Sequence, residues 1–293
     1  MTGKERRLAL FRVGLGILYL GSLVAIVLLL ARGEPYYATP LAERARHPDY
    51  WDWKSGGHIG HLLGLVGSAM MVLMLLYSVR KRVRLFRRWG PLGRWLDVHI
   101  FLGLVGPALV ILHSAFKVQG LVALSFWSMI AVAASGVLGR YLYLQIPRTR
   151  AGEELTLREL TEIDRDLSEQ LKSGFGLDDA LLRRLEALSR PPDPRHGLVR
   201  VTAAIVRGAW REQRDLKALL RECRGVPKAL ARVFELTVRH KHRVHRRILL
   251  WDRLHALFHY WHVIHKPFAV VMYLFLVVHV AVALMTGYGW GGA

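Results

Sequence analysis

DVHIFLGLVGPALVILHS (residues 97–114) and VIHKPFAVVMYLFLVVHV (residues 263–280) each carry two histidines, fourteen residues apart, inside an otherwise apolar run. Along an α-helix fourteen residues rise about 21 Å and return to within about 40° of eclipse, so each stretch offers two imidazoles on nearly one face. Crossing the hydrocarbon core of a bilayer takes about 20 residues of helix. Working outward from these two stretches, five runs are long enough: Leu8 to Ala31, His58 to Ser78, Leu96 to Phe116, Leu121 to Leu144, and His265 to Gly287. The chain is 53% hydrophobic yet 22% charged, which requires its apolar residues to be segregated into blocks. The predicted fold class is all-α, an integral membrane helical bundle of about five transmembrane helices with a helical cytoplasmic insert. Residues 1–146 hold the first four spans, 147–261 the insert, and 262–293 the fifth span with a short outer tail. The first run exceeds the roughly 7 to 15 apolar residues of a signal peptide and is read as a retained span.

The charges set the expected orientation. Net charge is +20, and the basic residues sit where topology signals sit. Lys4, Arg6 and Arg7 precede the first span, and Arg80, Lys81, Arg82, Arg84, Arg87, Arg88 and Arg94 fill the second connection with no acidic residue among them. From Arg32 to Gly57, by contrast, Arg32, Arg44, Arg46 and Lys54 are balanced by Glu34, Glu43, Asp49 and Asp52. The positive-inside rule then places the N-terminus and the insert on the cytoplasmic side of a cell inner membrane and the C-terminus outside. This distribution argues for membrane lipid and against nucleic acid as a partner. The single cysteine, Cys223, excludes an internal disulfide and any cysteine-ligated iron–sulfur cluster within this sequence.

Within the insert, Thr156 and Glu159 form a capping box ahead of Leu157, Leu160, Ile163, Leu167 and Leu171 at helical spacing, with Gly174 and Gly176 as the stop. A second helix is predicted from Asp178 to Ser189, then a linker containing Pro191, Pro192 and Pro194. Helical patterning resumes near Leu198, breaks between Gly225 and Pro227, and continues through Trp251 into the fifth span. With no GxGxxG after a strand and no P-loop, the insert is expected to be a docking platform rather than a nucleotide-binding enzyme.

Ionisable side chains inside a membrane are costly, so each asks for a reason. With one span between them, the third and fifth helices run in the same direction, which sets His99 level with His265 and His113 level with His279. Two levels of facing imidazoles are what two six-coordinate haem b groups require, one axial ligand from each helix. The alternative for each histidine is a hydrogen bond to a neighbouring helix. Gly103 and Gly106 lie between the ligands of the third span, where they are expected to leave room for a porphyrin. Gly57, Gly60, Gly64 and Gly67, and Ser135, Gly136 and Gly139, fit either haem contact or close helix packing. His61 is placed to touch the outer haem, a quinone or a departing proton, or else to be a plain interfacial histidine. Arg140 suits a haem propionate, or the cytoplasmic headgroups by snorkelling. His240, His242 and His245, among Arg239, Lys241, Arg243, Arg246 and Arg247, are expected on a solvated basic face near anionic lipid. His255, His259 and His262 share a face before the membrane, and His262 is the runner-up inner ligand.

Di-histidine pairs of this spacing on the third and fifth helices resemble the transmembrane domain of ferric reductases and NADPH oxidases. The resemblance rests on His99, His113, His265 and His279 and covers the four spans from His58 onward. It implies two haem b groups that pass electrons from the cytoplasmic side to an outer or membrane acceptor, making the chain an electron-transfer component of an oxidoreductase. The sequence departs from that pattern in having no flavin or nicotinamide domain after the last span and a long insert before it. A cytoplasmic redox partner subunit, an acidic donor protein drawn to Arg239, Arg243 and Arg246, or a quinol is expected to supply the electrons. The alternative in the same chemistry is a quinone-reactive cytochrome b anchor of a respiratory complex. A divalent metal transporter fits less well, since carboxylates are lacking inside the spans, Asp97 lying at an edge.

Overall fold

The computed structural model of the chain describes residues 3–120, 122–146, 155–189, 214–220 and 230–287, and every regular element among them is helical. In chain order the helices are α1 (Gly3–Ala38), α2 (Tyr50–Trp53), α3 (His58–Arg82), α4 (Leu92–His113), α5 (Val122–Gln145), α6 (Leu157–Glu169), α7 (Asp179–Leu188), α8 (residues 214–220), α9 (Ala231–Leu249) and α10 (Trp251–Met285). Among the described residues five segments are long and apolar enough to cross a membrane: Glu5–Ala38, Tyr50–Arg82, Leu92–His113, Val122–Gln145 and Trp251–Met285. The proline linker, the pattern near Leu198, the Gly225 to Pro227 break and Cys223 lie outside the described residues. Two compact units result, Met1–Leu138 with Val263–Ala293, and Gly139–His262, so the division falls inside α5 rather than at its end.

In the first unit α3 and α4 lie antiparallel in a register that steps by seven residues. His113 meets Gly60, Gly106 meets Gly67, and His99 meets Met74. The crossing is close because Gly67 and Gly106 have no side chain. A Cβ on Gly67 would lie 2.8 Å from Val110 Cγ2 and 2.9 Å from the Gly106 carbonyl oxygen, the small-residue contact that lets apolar helices approach. α1 follows α4 in the same direction, with Arg94 over the Phe11 ring, Tyr19 edge-on to Phe101, and Tyr37 Oη donating to the Leu112 carbonyl at 3.3 Å. The C-terminal part of α10 is pinned to α3 by Tyr273 Oη donating to the Met71 carbonyl at 2.6 Å, and to α5 by Ser125 Oγ donating to the Met272 carbonyl at 3.3 Å. Met71, Met129 and Met272 bury one another where α3, α5 and α10 meet, a place for side chains that adapt to irregular gaps.

The second unit starts with the predicted capping box: Thr156 Oγ1 accepts from Glu159 N–H while the Glu159 carboxylate accepts from Thr156 N–H. Gly176, at φ +64°, turns the chain after the α6 helical run, and Asp178 caps α7 through Leu181 N–H. Leu171, Leu182, Leu185, Leu216, Leu219, Phe234 and Val238 form the core. Beside it lies an ion pair network. Lys241, only 1% exposed, places Nζ 2.7 Å from Asp164 Oδ2 and 3.1 Å from Glu186 Oε1. His245 Nδ1 is 3.2 Å from the same Asp164 oxygen. Burial would raise the Asp164 pKa, but hydrogen bonds and charge from His245 and Lys241 outweigh it and hold the carboxyl below its ordinary value. A depressed folded pKa gives stability that is present above the unfolded value and lost as pH falls through the folded one. Replacing Lys241 by alanine leaves the half-buried Asp164 with His245 alone and takes the ammonium from Glu186. Lys241→Ala is expected to destabilise this unit by about 3 kcal/mol, read as a lower urea midpoint of the full chain. The wild-type chain should lose the corresponding stability only as pH falls below about 4, and the variant should show a flatter acid limb.

Candidate functional site

Three of the four histidines singled out by the sequence have their Nδ1 atom engaged by a neighbouring helix. His113 Nδ1 donates to the Gly60 carbonyl of α3 at 2.8 Å, and His99 Nδ1 to the Met74 carbonyl of α3 at 3.2 Å. His265 Nδ1 is 2.7 Å from Ser135 Oγ of α5, and that hydroxyl itself donates to the Val132 carbonyl, so it accepts from His265. A carbonyl oxygen can only accept, so His99 and His113 each carry a proton on Nδ1. This is the arrangement of a metal-ligating imidazole, in which the second-shell bond fixes tautomer and ring angle. His279 is placed differently, by its ring: the centroids of His113 and His279 are 6.3 Å apart with planes at 65°. Two metal–nitrogen bonds of about 2 Å plus the ring radius on each side put two axial imidazoles roughly 6 Å apart between centroids. The His113 and His279 centroids stand at about that distance, with the rings edge-on. His99 is further set by the Tyr77 ring, 5.1 Å between centroids.

The glycines divide by function. Gly64 makes room for His113: a Cβ there would lie 2.5 Å from His113 Nδ1, closer than real contacts allow. Gly136 lies beside His265, its Cβ position 4.0 Å from Cε1. Gly103 and Gly106 correct the expectation. A Cβ on Gly106 would meet the Gly67 carbonyl at 3.2 Å and Met70 Cβ at 3.3 Å, and one on Gly103 would meet Met74 Sδ at 3.3 Å. Both glycines serve the packing of α4 on α3, because the face between the histidines is the one that α3 covers. His61 and His279 both lie within electrostatic range of the His113 ring, so these three histidines gather at one level. Arg140 stacks its guanidinium 5.7 Å above the Tyr143 ring. His262 donates Nδ1–H to the Phe258 carbonyl one turn back on its own helix, at 2.9 Å, and packs edge-on against Phe258 and Trp261.

The basic run of α9 does not form one solvated face. His240 and Arg243 are exposed, but Lys241 and His242 are buried and His245 is bonded to Asp164. His242 Nδ1 lies 2.8 Å from Ser189 Oγ. The α9 face toward α6 and α7 includes Val238 and Val244, and Lys241 and His245 share it by helical spacing. Asp164, Glu186 and His245 have the geometry of a three-ligand metal group, but the Lys241 ammonium already supplies the cation there. Sequence reasoning missed Ser135 as the partner of His265, the carbonyls of Gly60 and Met74, and Tyr273. Only Ser135 carried a signal, as the one hydroxyl beside the small residues Gly136 and Gly139 of the fourth span.

No protein-family model, curated protein or solved structure matches the chain. The fit of Gly64 to His113 is open to direct measurement. Gly64→Ala is expected to push the imidazole off the Gly60 carbonyl and to lower the thermal midpoint in detergent micelles by the equivalent of about 1–3 kcal/mol. Gly14→Ala, where a Cβ meets nothing within 4 Å, should leave it unchanged. Equal midpoints for the two variants would show that His113 does not need the clearance.

Proposed function

We propose that this chain is a multi-pass membrane protein that carries electrons through the bilayer on two b-type haems, one held by His99 and His265 and the other by His113 and His279. The observation that carries this reading is the His113–His279 pair, on two helices, at the 6.3 Å separation of imidazoles that share a metal. The donor set also fits. Imidazoles with Nδ1 fixed by Gly60, Met74 and Ser135 suit iron in a porphyrin, and a bond at Nδ1 raises ligand basicity. Haem supplies reversible one-electron chemistry when bound. The chain's residues supply the rest: α3 and α5 orient the histidines, and the buried Met71, Met129 and Met272 exclude water from the apolar middle.

Direction is part of the proposal. His113 lies at the C-terminal end of α4, His99 nearer its N-terminal end, and by the positive-inside rule the charge pattern assigns the N-terminus and the insert of residues 147–261 to the cytoplasmic side. His99 and His265 then form the inner level, His113 and His279 the outer one. Electrons enter at the inner level from a cytoplasmic redox partner or a quinol and leave toward an outer or membrane acceptor. The resemblance to the transmembrane domain of ferric reductases and NADPH oxidases supports the same order.

Purified chain supplied with haem should bind two haems b with low-spin, six-coordinate spectra. His99→Ala or His265→Ala should remove one haem, His113→Ala or His279→Ala the other, told apart by their midpoint potentials in a redox titration. Ser135→Ala should keep both haems but shift the potential of the His99–His265 haem alone, because it takes away the Nδ1 partner of His265. A single haem per chain, or loss of the same haem from His99→Ala and His113→Ala, would rule out the two-level arrangement.

A further inference from the structure

The outer line of α9 is unlike its inner one. Leu230, Val233, Leu236, His240, Arg243 and Arg247 follow one another at steps of three or four residues and so fall along one stripe of the helix surface. The aliphatic end is open to solvent: Leu230 is 44%, Val233 53% and Leu236 57% exposed. The cationic end has His240 and Arg243 exposed and Arg247 half-buried. Among the described residues no carboxylate pairs with these three. Glu235, five residues before His240, is engaged by Arg239 at 2.7 Å, and Asp164 and Glu186 are taken by Lys241 and His245 on the opposite side. The two arginines repel one another. Burial first and the Arg243 charge second hold Arg247 below its ordinary pKa, and burial, Arg243 and Arg247 do the same to His240. Two arginines beside a histidine, with no carboxylate partner among the described residues and continuous with bare aliphatic side chains, are built for an anionic partner with an apolar layer next to it.

We infer that this stripe of α9 lies on the anionic headgroup layer of the membrane, with Arg243 and Arg247 on lipid phosphates and Val233 and Leu236 in the acyl boundary. The inference rests on the membrane-spanning reading proposed above. Two arguments favour lipid over an acidic protein. A specific protein interface buries about 800 Å² on each partner, far more than a single line of side chains offers, whereas a flat headgroup surface needs only such a line. α9 is also joined through the single residue Leu250 to α10, the helix that holds the fifth apolar segment.

The test uses the full chain in nanodiscs of phosphatidylcholine alone or with about 30% phosphatidylglycerol, with a bimane label on Leu236→Cys in a Cys223→Ser background and nitroxide-bearing lipid as quencher. Strong quenching is expected only in the anionic discs. Arg243→Gln with Arg247→Gln should lower the docked-to-free ratio roughly twenty-five-fold, at about five-fold for each cation. About 1 M salt, where the Debye length is about 3 Å, should do the same without any substitution. Free inorganic phosphate at matched ionic strength should not compete, which separates headgroup docking from capture of a soluble anion. Equal quenching in both discs, or a label shielded only when an acidic protein is added, overturns the inference. Carbonate extraction of the chain from vesicles checks membrane spanning separately, so its failure is distinguishable from failure of the stripe to dock.

Discussion

An imidazole placed among apolar helices must give its N–H a partner, since leaving a polar group unbonded there costs several kcal/mol. The first unit is organised around that need. His113 and His99 both solve it by donating to backbone carbonyls of α3, at Gly60 and Met74. These carbonyls already belong to helical ladders, so the imidazole approaches as a second donor, which it can do only where the helix surface is low. Gly64 supplies that low surface at His113. The seven-residue step of the α3–α4 register follows: once His113 is seated at Gly60, two turns further along Gly106 falls on Gly67, and two turns beyond that His99 falls on Met74. A spacing of fourteen between the histidines is then two periods of the packing seam as well as a separation of two levels.

The second unit solves the opposite problem, an excess of cations. α9 carries a dense basic run, and the fold sorts it by face. Lys241 points inward and is neutralised by Asp164 and Glu186, while among the described residues no carboxylate pairs with Arg243, which is exposed, or with Arg247, which is half-buried. Burying Lys241 is tolerable because two carboxylates and the Asp164 carbonyl surround its ammonium. The arrangement also fixes how α9 sits on α6 and α7, since a lysine held from two helices specifies one rotation of the third.

What could be read from the sequence was whatever depends on spacing along one helix. The five apolar segments, the Thr156–Glu159 capping box, the Asp178 cap and the turn at Gly176 all follow from local pattern, and the structure carries each of them. What depends on rotation about the helix axis was not legible. Gly103 and Gly106 lie in line with the histidines in sequence, but α3 occupies that side, and nothing in α4 alone says which neighbour covers which face. The same holds for Lys241. In a run of alternating His, Lys and Arg the inward residue is chosen by Asp164 and Glu186, more than fifty residues away in the chain. Ser135 meets His265 across 130 residues, a pairing that local pattern does not encode.

The register also explains why His265 is held by a side chain and His99 by a backbone. α5 and α10 touch through Ser125 at Met272 and Ser135 at His265, two hydroxyls ten residues apart that mark where α10 comes close. A serine reaches past the helix surface to the imidazole, so α5 and α10 do not need the glycine-on-glycine contact that brings α3 and α4 together. The four helices therefore grip the histidines by two different means. One pair approaches backbone to backbone and holds His99 and His113 by carbonyls of α3, while the other holds His265 by a hydroxyl that itself donates to the Val132 carbonyl. The α4 histidines are thus bonded to main-chain carbonyls, which no substitution removes, and His265 to a side chain, so the partner of His265 alone can be taken away by a single change at Ser135.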